Sequence, residues 1–188
     1  MSGCLLTNTK SKDCSTTSKI GGLKGRLWLY NIVGSDDLAV TYTETSNNIT
    51  DITFAAGDGL YFVEGEKFAH NFTYALSVPG INKYYTQGGT IKTLVDTGND
   101  IEWLDSVNKA TSLGVIYENT NKEFIVLGQF NGLKAIEGDQ FDSGLEASAE
   151  IGTTITLQGE ENKPFKKFFD TDYETTLAKI ISLQVTQP

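Results

Sequence analysis

The sequence predicts a mainly β (α+β) fold, a β-sandwich with one short helix. Three observations carry this. Residues 67–78 alternate strictly: Phe68, His70, Phe72, Tyr74, Leu76 and Val78 point one way, and Ala69, Asn71, Thr73, Ala75 and Ser77 the other. A period of two over that length is the pattern of a strand. Phe124-Ile125-Val126-Leu127 is the most apolar run in the chain. Such a run is expected to be buried on both faces, by the core or by a neighbouring subunit. Thr, Tyr, Phe, Val and Ile are common while only 3 prolines occur, which favours strands.

The 188 residues are enough for one domain with a real core. Apolar residues make up 39% and charged residues 21%, a globular balance. The net charge of −9 argues against a nucleic-acid-binding module, which needs a basic stripe to displace counterions. It is compatible with a wall that DNA slides past, because an acidic wall repels phosphates. No apolar run has the length of a signal peptide or a membrane span. Cys4 and Cys14, the only cysteines, lack zinc spacing and are expected as free thiols in a reducing compartment.

In chain order, residues 1–22 are polar, end in Gly21-Gly22 and read as an arm. Strands are expected at 23–33, 38–43, 49–55 and 60–64, with turns at 34–37, 46–48 and 57–59. The long strand 67–78 follows. Pro79-Gly80 fits the central pair of a type II turn, and 81–95 is expected to return as an extended segment weakened by Gly88-Gly89. The small polar face of this hairpin suits either a lumen lining or an edge of the sandwich.

Asn99 to Glu102 has capping-box spacing, and Ile101, Leu104 and Val107 recur at helical intervals, so 100–109 is expected as a short helix. A hairpin spans 113–129 around Asn119-Thr120-Asn121. Residues 131–152 read as loop. Thr153, Ile155 and Leu157 alternate with Thr154, Thr156 and Gln158, a half-buried strand. Phe165, Phe168 and Phe169 follow and are expected to dock on the domain or on a neighbour, ahead of an amphipathic helix at 173–183.

One stretch suggests chemistry. Leu94-Val95-Asp96-Thr97-Gly98 matches the apolar-apolar-Asp-Thr-Gly signature of retroviral-type aspartic proteases, in which two aspartates share a proton across a dimer. Asn99 stands where those enzymes carry a small residue, and the interval to Ile125-Val126-Leu127-Gly128 is too short for their intervening strands. A turn before a helix explains it better. His70 is the only histidine and is expected in a core or interface, not as a ligand. Glu137, Asp139 and Asp142 lack the register of a calcium loop. No catalytic, cofactor-binding or metal site is expected.

Several motifs, in order, resemble a family. Cys4-Leu5-Leu6-Thr7, Cys14, Gly21-Gly22 and Trp28-Leu29-Tyr30-Asn31 open the series. Ile49-Thr50-Asp51-Ile52-Thr53-Phe54 and Leu60-Tyr61-Phe62 continue it, and Thr154-Ile155-Thr156-Leu157-Gln158-Gly159-Glu160-Glu161 closes it. Together they resemble the tail-type virion structural proteins of crAss-like phages of Bacteroidetes. The likeness covers residues 3–165; Pro79-Gly80, Gly88-Gly89 and Asp96-Thr97-Gly98 depart from it.

The resemblance implies a sandwich of tail-tube type with a long protruding β-hairpin and N- and C-terminal arms. Residues 1–22 would be the N-terminal arm, 23–164 the sandwich with 67–95 as the ring-assembly hairpin, and 165–188 a C-terminal extension. It implies a non-enzymatic tail hub or tube subunit, in the virion and, during assembly, in the host cytoplasm. Its partners would be copies of itself in a ring, six-fold or a multiple, adjacent tail or portal-proximal ring proteins, and passing genomic DNA, with no membrane and no cofactor. Ala69, Asn71, Thr73, Ala75 and Ser77 are expected in an inter-subunit barrel. Competing readings are a head-decoration or fibre-base protein, an adhesion domain and the aspartic protease.

Overall fold

The computed structural model describes residues 23–34, 38–64, 70–93, 98–142 and 152–185. The strands are β1 (Leu23–Asn31), β2 (Thr41–Thr45), β3 (Asn48–Thr53), β4 (Tyr61–Glu64), β5 (Asn71–Ser77), β6 (Tyr84–Thr93), β7 (Leu113–Asn119), β8 (Phe124–Leu127), β9 (Lys134–Asp142), β10 (Gly152–Glu161) and β11 (Lys166–Phe168). The helices are α1 (Gly98–Lys109) and α2 (Tyr173–Ser182). The fold is mainly β, with a seven-stranded sheet ordered β2-β3-β11-β8-β7-β1-β4 and a four-stranded sheet ordered β5-β6-β10-β9.

Alternation along the strands of the large sheet divides their side chains between two cores. Leu27, Leu29, Val115, Ile125 and Leu127 point to the small sheet, where Ile91, Ile155 and Leu157 meet them, with Leu104 and Val107 of α1 at the margin. Trp28, Tyr30, Ile116, Phe124 and Val126 point the other way and pack with Phe168 and Ile180. The ring of Tyr173 stacks on Phe124 at 5.6 Å. β8 is therefore buried on both faces by this chain's own sheet and helix, which explains why its four residues are all apolar.

Tight turns follow from local chemistry. Ser46 and Asn47, both with positive φ, make the two-residue connection from β2 to β3. In the β7–β8 hairpin the left-handed residue is Lys122. Asn119 acts through its side chain, Oδ1 accepting from the N–H groups of Asn121 at 2.9 Å and Glu123 at 3.0 Å. Gly114 is needed for space: a Cβ there would lie 2.1 Å from Cζ of Tyr30, whose ring covers it from the neighbouring strand.

The helix expected at 173–183 is present as α2, in addition to α1. The structure corrects several expectations. The segment from residue 165 is no appendage. β11 lies inside the large sheet, antiparallel to β8 and parallel to β3, and among the described residues it is the strand whose pairing links the β2–β3 hairpin to the rest of that sheet. Past α2, Leu60 N–H donates to Leu183 O at 2.9 Å and Val185 N–H to Leu60 O at 3.0 Å, so residues 183–185 are clipped beside the start of β4. Residues 134–142, expected as loop, form β9; register shifts against β10 hide its alternation. α1 begins at Gly98, which places Asn99 within its first turn instead of at the cap. The β5–β6 turn is shifted by one residue: Asn82 N–H donates to Pro79 O at 3.2 Å, with Gly80 at φ 63°. The expected arm 1–22, the turn at 34–37 in its last three positions and residues 143–151 of the expected 131–152 loop lie outside the described residues.

Candidate functional site: the open face of the small sheet

The described part of the expected 67–95 hairpin, residues 70–93, is not a free arm. β6 pairs with β5 on one side and, from Tyr85 to Thr93, with β10 on the other, so the hairpin is the outer half of the four-stranded sheet. Gly88 and Gly89 do not weaken it. A Cβ on Gly89 would sit 2.0 Å from Asn71 O, and one on Gly88 2.3 Å from Leu157 O, so these glycines permit close strand approach.

Asn71, Thr73 and Ala75 are exposed and Ser77 is half-buried, its Oγ sharing a 3.0 Å hydrogen bond with Thr86 Oγ1. Ala69 lies outside the described residues. On the opposite face of β5 only Phe72 turns inward, stacking on Tyr117 at 5.1 Å; Tyr74 meets Phe165 edge-on at 4.7 Å but stays exposed, as does Leu76. Burial pushes the Tyr117 hydroxyl up to about 12.

The register extends the polar face across the sheet. Asn71 pairs with Thr90, Thr73 with Gly88 and Ala75 with Thr86. Across β6, Thr90 pairs with Thr156, Gly88 with Gln158 and Thr86 with Glu160. Thr156 and Gln158 then pair with Glu137 and Lys134 of β9. Small hydroxyl and amide side chains dominate, with Lys92 and Lys134 offset by Glu137 and Glu160. Such a face offers neither a cationic track for phosphate nor an apolar surface for adhesion. The contributions of Thr86, Thr90 and Thr156 were individually visible in the sequence, but only strand pairing assembles them into one face.

The other expected features fall elsewhere. His70 is buried, its Nδ1 accepting from Lys92 N–H at 3.2 Å, and burial lowers its pKa. Asp96 and Thr97 lie outside the described residues, and Gly98 opens α1. Glu137 sits on strand β9 instead of in a loop. Among the described residues, no three His, Cys, Asp or Glu side chains gather as metal ligands.

Two buried carboxylates, missed from sequence, brace the fold around this sheet. Glu161 ends β10 and its Oε1 accepts from the N–H groups of Asn131 and Gly132, both at 3.0 Å, and of Phe130 at 3.2 Å. Glu118 on β7 accepts from Tyr173 OH at 2.7 Å and contacts Lys24 Nζ, tying α2 to the large sheet. No family model, curated protein or solved structure matches the chain.

Proposed function

We propose that this protein is a structural, non-enzymatic subunit of a phage virion tail, assembling into a ring of the hub or tube around the DNA ejection channel. The observation that carries the reading is the small sheet. Its strands alternate in direction from β5 to β9, and each edge strand pairs with one strand among those described. Copies related by rotation would place β5 of one antiparallel to β9 of the next. Repetition gives a closed antiparallel barrel without edges. The hydroxyl-rich face would line the lumen, where near-neutral polar groups let DNA pass without sticking. The motif resemblance supports the same role, and implies six-fold or a multiple, with further tail or portal-proximal rings above and below.

Electron microscopy of the purified full chain and of virions tests this. Annular particles, and the protein located in the tail, are expected. A monomer at all concentrations together with absence from the tail overturns the proposal.

A further inference from the structure

The two edges of the small sheet carry opposite charge. From Asn71 to Thr93 the β5–β6 hairpin contains Lys83 and Lys92 and no Asp or Glu, a net +2. Lys83 precedes β6 at the turn and Lys92 lies near its far end, so cations bracket the β5 edge. β5 itself carries no charge and no proline, and its register with β6 is unbroken from Asn71 to Ser77. An edge so unguarded is ready to pair with another strand.

The other edge is acidic. β9 carries Glu137, Asp139 and Asp142 against Lys134. Beside it packs α1, with Asp100, Glu102 and Asp105 against Lys109. Six carboxylates against two lysines give this side a net −4. Glu102, Asp105 and Glu137 are exposed.

We propose that this asymmetry decides which edges meet: the lysine-bracketed β5 edge of one copy seats against the acidic β9 edge of the next. The inference rests on the ring reading above and names what sets the direction of its repeat.

Strand register puts the charges at matching heights. Lys92 pairs with Thr154, and Thr154 with Gln140, so Lys92 stands level with the acidic end of β9, residues 137–142. A rotational repeat keeps the copies upright and brings the Lys92 end of one beside the 137–142 end of the next. With β5 between them, the backbones are two strand spacings apart, about 10 Å. That is close to the screening length of about 8 Å at physiological salt, and the long side chains of Lys92 and Glu137 shorten the gap. A two-fold pairing of β5 with β5 instead sets two net-positive edges together, and one of β9 with β9 two net-negative sides. Like charge at a contact disfavours both. The rotational repeat sets opposite charges together and uses each edge once per copy.

Charge reversal with mixing tests the contact. Lys92→Glu and Glu137→Lys should each raise the concentration for half-assembly about threefold or more, read by sedimentation. An equimolar mixture of the two should assemble near the wild-type concentration, because alternating copies again set opposite charges together at every contact. Mixing leaves the charges within each chain as they were, so recovery reports contact between copies. Thermal melts of the unassembled variants check that the fold is retained. Wild-type assembly supplies a readout that needs no variant: it should weaken between about 0.05 and about 0.5 M salt. Salt-independent wild-type assembly, variants that assemble at the wild-type concentration, or folded variants whose mixture does not recover each overturn the charge-ordered contact and leave the ring standing. A wild-type chain that forms only a two-fold dimer, or does not assemble, overturns both.

Discussion

Glu161 Oε1 accepts the backbone N–H of Gly132 at 3.0 Å, and Glu161 is almost wholly buried. That contact joins the last residue of β10 to the turn leading from β8 into β9. It therefore fixes how the large sheet hands the chain to the small one. Gln87 works beside it, its Oε1 accepting from Gly128 N–H at 2.9 Å and its Nε2 donating to Lys163 O at 2.9 Å.

Glu161→Ala leaves the N–H groups of Phe130, Asn131 and Gly132 without their acceptor. With each lost charge-assisted bond worth roughly 1.5–3 kcal/mol, a loss of about 3 kcal/mol or more is expected. Glu161→Gln keeps one acceptor oxygen and should lose less. Denaturant midpoints measure both; equal stability of Glu161→Ala and wild type would contradict the role.

Phe168 is the anchor of β11, buried between β3 and β8. Phe168→Ala should cost about 3–5 kcal/mol. Because β11 is, among the described residues, the strand that pairs the β2–β3 hairpin to the rest of the large sheet, the loss should appear there first. Hydrogen exchange is the readout: amides of residues 41–53 should lose protection before those of β1 and β7. Uniform loss across the large sheet would mean that β11 does not act as the joint.

The sequence discloses elements whose pattern is local and conceals those set by distant partners. Strict alternation identifies β10, and four consecutive apolar residues identify β8 as two-sided. β11 spans three residues, too few for any period, and its place between β3 and β8 depends on strands far away in the chain. β9 is concealed because its register against β10 shifts on both sides of Thr156, so no alternation survives. The polar face is half legible. Its β5 row stands out, but Thr86 and Thr90 are separated by Gly88 and Gly89, which only the close flanking strands explain. Glu118 and Glu161 look like any surface glutamate, since nothing nearby in sequence announces the N–H and O–H donors that meet them.

Gly114 faces the ring of Tyr30 across the β1–β7 ladder. Tyr30 is fully buried and shares a 3.1 Å hydrogen bond with the Tyr42 hydroxyl, so its ring has little room to move. Gly114→Ala should therefore destabilise by about 1–3 kcal/mol, the range for overpacking. In a Tyr30→Leu background the same change should cost less, with a coupling of about 1 kcal/mol or more in a double-mutant cycle. Additive effects would show that the ring can move aside and that steric contact is not why glycine stands there.

His70 gives the stability a component that depends on pH. Burial holds its imidazole below the ordinary value of 6.5, so the folded chain resists a proton that the unfolded chain accepts. The contribution is complete above that ordinary value. It declines as pH falls towards the lower folded-state pKa, because there the unfolded state binds more protons. His70→Asn can retain an acceptor for Lys92 N–H while removing the titrating ring. Between about pH 7.5 and about pH 5.5, wild type should lose more stability than His70→Asn in parallel denaturant titrations. Carboxylates titrate alike in both proteins and cancel in the comparison, so equal losses would show that His70 takes up its proton as readily in the folded state as in the unfolded one.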